Sequence, residues 1–132
     1  MKIKLFVLAL IALTLPGLTA QAHHSFAGTY DLKRQIKIEG TLIRVQFRNP
    51  HSFVTVKAPD ETGAVHEWSI EWSGLPQLSG AGISASTISV GDPVVIMGNP
   101  TRTVGEHRLR MVTFLRTSDG FAWGNRRDEV VN

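Results

Sequence analysis

The 132-residue chain has no cysteine. That absence excludes a cysteine nucleophile, a thiolate metal site, c-type haem attachment and a lipid anchor on a processed cysteine. It leaves the compartment open, because an oxidising environment permits disulfides without requiring them. Beyond residue 22 the chain also lacks any apolar run near the roughly 20 residues that a membrane-spanning helix needs. No stable membrane insertion of the remaining chain is therefore expected. Two catalytic signatures are missing as well. No serine, histidine and acid fall into a pattern with a nucleophile elbow. Gly80-x-Gly82 lacks the strand–loop–helix context and the lysine of a phosphate-binding loop.

The chain begins with the pattern of a secretory signal peptide. Lys2 and Lys4 form a charged start, Leu5 to Leu15 an apolar centre, Pro16-Gly17 a break, and Ala20-x-Ala22 a small-residue cleavage site. Cleavage after Ala22 would leave His23–Asn132, 110 residues, enough for one domain with a modest core. Three parts are expected: a signal peptide over 1–22, a single β domain over 23–124 and a flexible polar tail over 125–132. The expected location is the periplasm or the exterior. Charge points away from nucleic acid. Lys2 and Lys4 belong to the 14 basic residues, and without them 12 face 11 acids, a net charge near +1. Nucleic-acid binding draws much of its affinity from excess positive charge.

The remaining pattern is β. Apolar residues alternate from Gln35 to Arg48, but Ile36 and Ile38 are in one phase, and Ile43, Val45 and Phe47 in the other. A slip of one residue at Gly40 predicts a long first strand with a bulge or bend there. Ser52–Ala58, Ala64–Trp72, Pro93–Gly98 and His107–Arg116 read as four further strands, and Phe121–Trp123 as a short edge strand. Leu75, Leu78 and Ile83 predict a short helix between the third and fourth. On the fifth strand Leu109, Met111, Thr113 and Leu115 are expected on one face and Arg108, Arg110 and Arg116 on the other. Three strands, a helical connection and two strands match a small five-stranded OB-like Greek-key barrel. A small β-sandwich is the alternative.

Ala22-His-His-Ser-Phe-Ala27, then Asn49-Pro50-His51, Trp68 and Ile88-x-x-Gly91-Asp92 follow in an order that resembles a family of small exported bacterial proteins, domain of unknown function 6152. The resemblance covers nearly all of the mature chain. It implies an exported β-rich domain and no established activity. Ala81-Gly82 is followed by Ile83, where that family often has tryptophan, which weakens any role for an aromatic there. His66 and His107 are not among the family's markers.

With no cysteine, the five histidines are the natural transition-metal ligands. A free N-terminal His23 would offer an imidazole and an α-amine whose pKa is roughly 7.7–8. A third nitrogen from another histidine would complete a T-shaped brace, and nitrogen-only tetragonal coordination favours Cu(II). His24 could join through the intervening amide. His51 follows Pro50, which fixes the backbone of its turn. In an OB-fold the loop between strands 1 and 2 lies near the loop between strands 4 and 5, so His51 and His107 are expected to converge. His66 alternates with Trp68, Ile70 and Trp72 and reads as a packed residue of an apolar face. Glu67 and Glu71 read as a solvated face. Phe53, Trp68, Arg108 and Arg110 are candidates for an OB ligand face.

The expected function is an exported binding module that holds one copper ion, zinc being the second choice, through His23 with His51 and His24 or His107. Met97 and Met111, both inside strands, do not make a dedicated Cu(I) carrier. Two other classes remain open. One is a non-metal accessory module that binds a protein partner or small ligand on the OB face. The other is a small copper-dependent oxidoreductase.

Overall fold

A computed structural model describes residues 26–124. After a helical turn at 26–29, the elements in order are β1 (Ile36–Gln46), β2 (Phe53–Pro59), β3 (Val65–Glu71), α1 (Leu75–Gly80), β4 (Pro93–Pro100), β5 (Arg108–Arg116) and β6 (Ala122–Gly124). The strands pair β3-β2-β1-β4-β5-β6, and a further parallel pairing of β3 with β5 closes the first five into a barrel. This mixed closure gives the OB-like barrel expected from the strand order, with β6 added to the edge of β5. Closure runs through three residues of β3, Ser69 to Glu71, paired with Arg108 to Arg110. Among the described residues no helix is long and apolar enough to cross a membrane.

Period-two alternation accounts for the inner face. Val54, Val56 and Ala58 of β2 and Trp68 and Ile70 of β3 are buried, with Trp72 just beyond. Leu78 of α1, with Ile83 and Ile88, is buried in the same core cluster. Trp72 stacks on Phe114, their ring centroids 5.4 Å apart.

Two details differ from the sequence reading. The bulge of β1 lies between Leu42 and Arg44, not at Gly40. Leu42 pairs with Val56 and Arg44 with Thr55, so Ile43 is the extra residue and the phase of the strand changes there. Gly40 matters for a different reason. An added Cβ would collide with the Lys57 carbonyl oxygen and lie 2.8 Å from Ala58 Cβ. On β5 the register shifts where Met97 faces Thr113 and Gly98 faces Met111. Val112 is therefore the extra residue, and Phe114 turns inward to complete burial where Thr113 was expected.

The segment before β1 straps across the barrel. Tyr30 bridges Thr101, the Asp31 amide donates to Pro100, and Arg102 Nε donates to the Ala27 carbonyl at 2.8 Å. Tyr30 is 1% exposed. The N-terminal segment is thus tied to the β4–β5 loop, and both border the candidate sites.

Candidate functional site

Two histidine sites lie along opposite ends of β3. The first is at the end of the barrel where the β2–β3 hairpin meets the β4–β5 loop. Asp60 is held by the hairpin itself. Its Oδ1 accepts hydrogen bonds from the Thr62 amide at 2.8 Å, the Thr62 hydroxyl at 2.6 Å and the Ala64 amide at 3.1 Å. Its other oxygen, Oδ2, lies 2.8 Å from His66 Nε2. One oxygen serves the turn and the other faces the histidine.

His107 reaches this point through the barrel closure. Its carbonyl accepts the Ser69 amide at 2.9 Å, and Arg108 follows in register with Ser69. The His107 ring stacks on His66, with centroids 3.7 Å apart and planes 15° from parallel. The Trp68 ring meets it edge to face, with centroids 4.9 Å apart. One donor atom from each of Asp60, His66 and His107 falls within 4.8 Å of the others, so these three could hold a metal ion. Two imidazoles and a carboxylate suit zinc with an open position, or copper. An open cleft of about 1070 Å³ runs past the triad, with Arg34, Ile36, Arg102 and Trp68 on its walls.

The hydrogen bonds from Thr62 are the main reason the Asp60 carboxyl is held down to about 2 from an ordinary 3.8, with smaller help from His66 and Ala64. A lowered carboxyl stabilises the fold above the unfolded value and loses that contribution as pH falls through the folded one. The hairpin contribution of Asp60 is therefore expected intact above about pH 4 and lost between 3.8 and 2. Carboxyl carbon NMR should give a midpoint near 2 for Asp60. Thr62→Val should move it back toward 3.8; an unmoved midpoint would remove Thr62 as the cause.

The second site is on the outside of the barrel at the other end of β3. The Asn49-Pro50-His51 turn is fastened from both sides. Asn49 Oδ1 accepts the Leu75 amide at 3.0 Å, and the Ser52 amide and carbonyl pair with Ser73 and Trp72. His51 Nδ1 then lies 2.5 Å from Glu71 Oε1, while the Tyr30 hydroxyl donates to Glu71 Oε2 at 2.6 Å. Burial, followed by that hydrogen bond to a carboxylate, pushes the Tyr30 hydroxyl above its ordinary value. The Phe26 ring packs 5.0 Å from His51.

The structure does not bring His51 and His107 together. Phe53 pairs with Glu71 at the end of β3, so the β1–β2 turn lies there. His107 precedes the residue that pairs with Ser69, and its ring stacks on His66 near the start of the same strand. His66 and Glu71 are five positions apart along the strand, about 16 Å. It is the β2–β3 hairpin, not the β1–β2 turn, that meets the β4–β5 loop.

Phe53, Arg108 and Arg110 lie on the outside. Each ring or cation already has a partner: Arg48 over Phe53 at 4.6 Å, Arg110 over Phe26 at 5.1 Å and Arg108 over Tyr30 at 6.0 Å. Trp68 faces the core instead and donates its indole N–H to Ala58 at 3.2 Å. His23 and His24 lie outside the described residues, as do the signal segment and the tail.

Nothing in the sequence pattern points to Asp60 or Tyr30, and the same pattern presents His66 as packed and Glu71 as solvated. Asp60 and His66 flank a turn whose strands pair Ala58 with His66, a hairpin relation visible in the sequence. Glu67 is exposed, as a solvated face requires, but the Glu71 side chain is only 13% exposed because Tyr30 and His51 cover it. No sequence period reports a contact between residues 41 positions apart.

No curated protein matches the chain. The model of a family of unknown function, DUF6152, matches residues 11–110. The match covers β1 to β4 in full and the start of β5. The match spans well over half of the chain, and the chain belongs to that family.

Proposed function

We propose that this is an exported small protein that binds one divalent transition-metal ion, Cu(II) in preference to Zn(II), at Asp60, His66 and His107. The observation that carries this reading is the approach of three donor atoms to within 4.8 Å beside an open cleft. The signal-like first 22 residues support export. Cu(II) stands above Zn(II) in intrinsic affinity for nitrogen and oxygen donors. The stacked rings have nearly parallel planes. For both nitrogens to meet one ion at metal–nitrogen distances of about 2.0–2.1 Å, the rings must slide out of that stack. Binding is therefore expected to change the environment of Trp68, whose ring packs edge to face with His107.

The test is a titration of the mature protein with Cu(II), followed by histidine-ring NMR and tryptophan fluorescence. One equivalent should broaden His66 and His107 and quench emission, and Zn(II) should compete. If both signals survive a full equivalent, the triad is not a copper site. The cleft would then favour the non-metal reading, a module for a small ligand or partner.

A second reading puts copper at the mature N-terminus, with His23 supplying amine and imidazole and His51 the third nitrogen. Its support is the Phe26–His51 contact. His23 is three positions before Phe26, a reach of at most about 11 Å. His24 is the alternative donor. A chain that keeps Gln21-Ala22 would block the amine and should lose this copper alone.

A further inference from the structure

We propose that the first half of β1 is a docking edge for an extended peptide of a partner protein. The peptide adds as an antiparallel strand in the cleft and carries, in order, a basic residue, an apolar residue and an acid. The inference goes beyond the metal reading and does not depend on an ion at the triad.

β1 serves two neighbours in turn, and this leaves part of it bare. β4 pairs with it from Ile36 to Thr41, whereas β2 pairs with it only from Thr41 to Gln46. Leu42 shows which way the backbone groups point. Its amide donates to Asp92 and its carbonyl accepts from Gly91, both at the start of β4. Backbone groups alternate in direction along a strand. Gly40, Ile38 and Ile36 therefore turn to β4 as well, and Lys37 and Glu39 turn the other way. Among the described residues no strand meets those two on that side. Two N–H and two C=O groups are left for water or for an added strand. An antiparallel strand whose residues face Glu39 and Lys37 would take all four.

The bare edge borders the open cleft. Lys37 and Glu39 line it, with Ile36 and Trp68 as apolar surface and the β2–β3 hairpin as a further wall. An ion pair from Arg34 to Glu61, at 3.4 Å and well exposed, links the segment before β1 to that hairpin. Exposed pairs of this kind are weak, so the link can open for a strand. Lys57 occupies the edge at Thr41, so the added strand has to begin opposite Glu39 and run toward Gln35.

Charge selects the sequence. Lys37 and Glu39 are both exposed, two positions apart on one face, and opposite in sign. Directly opposed residues of paired strands interact through their side chains. A base opposite Glu39 and an acid opposite Lys37 are favoured. The residue between them points to the inner face, where Ile36 and Trp68 supply apolar contact. Main-chain bonds give affinity and the alternate side chains give specificity, as in other strand-addition sites.

The test uses the metal-free mature protein with a chelator present, which keeps it apart from the copper titration. Amide exchange followed by NMR should be faster at Lys37 and Glu39 than at Ile38 and Gly40. The probe is acetyl-Lys-Val-Glu-Val-Thr-amide. It should shift and slow the Lys37 and Glu39 amides. It should also bind about tenfold more tightly than acetyl-Glu-Val-Lys-Val-Thr-amide, which opposes like charges. In the double variant Lys37→Glu/Glu39→Lys the preference should reverse, an outcome that a misfolded protein does not give. Slow exchange at Lys37 and Glu39 in the free protein overturns the proposal, because the edge is then already covered. Protection that grows with protein concentration overturns it in favour of a second copy of the chain. Shifts confined to other residues, or no shift at millimolar peptide, overturn the docking edge. Equal binding of the two peptides overturns the charge-selected sequence.

Discussion

Replacing His107 with alanine is expected to weaken Cu(II) binding at the triad about a hundredfold or more, with little loss of the fold. The ring supplies one of three donors, and the remaining Asp60 and His66 face each other at 2.8 Å. Those two are a hydrogen-bonded pair with or without His107. A metal would then have to break that pair and accept only two protein donors. A hundredfold change is about 2.8 kcal/mol, since about 1.4 kcal/mol is a factor of ten. The fold should tolerate the change because His107 is only partly buried and its backbone, not its ring, makes the link to Ser69. The conservative partner experiment is Asp60→Asn. It keeps an oxygen in place but removes the charge, and should weaken binding less than His107→Ala while also loosening the turn that Thr62 and Ala64 complete. Competition against a chelator of known strength gives both affinities. Equal affinity in wild type and His107→Ala would place the ion elsewhere.

The barrel was legible in the sequence because its cues are local. Alternation of Val54, Val56 and Ala58, and of Trp68, Ile70 and Trp72, marks inner faces that the structure buries. Turns announced by Pro59–Gly63 and Gly91-Asp92 lie between the strands as expected. The two bulges were harder. Adding one residue at Ile43 or Val112 reverses every later side chain, yet the neighbours that absorb it lie on β2 and β4. The sites depended still more on distant contacts. The position of His107 follows from the parallel β3–β5 pairing, which no local pattern encodes. Glu71 has the pattern of a solvated residue because its cover, Tyr30, comes from 41 residues away. The Asn49-Pro50-His51 turn stood out as a motif, but its partner did not. Motif residues are visible one at a time, whereas the relation between them belongs to the closed barrel.

The second large effect is expected from the smallest change. Gly40→Ala should destabilise the domain by about 3 kcal/mol, the upper end for an overpacked core position. For a domain of this size that corresponds to a fall of roughly 15 °C in Tm. The cause is spatial and not conformational: Gly40 is not among the glycines with positive φ. It lies where β1 passes from its pairing with β4 to its pairing with β2, opposite Val94. A methyl group there would run into the Lys57 carbonyl oxygen, with Ala58 Cβ 2.8 Å away. Both obstacles belong to β2, and one is backbone, so no side-chain rotation relieves the clash. β1 and β2 would have to separate, weakening their ladder and the packing of Ala58 and Ile38 within the core. Gly28→Ala provides the control, since nothing lies within 4 Å of its added Cβ. Thermal unfolding followed by circular dichroism distinguishes the two: a large fall for Gly40→Ala and a small one for Gly28→Ala. Equal melting temperatures for Gly40→Ala and wild type would mean that the two strands do not cross so closely.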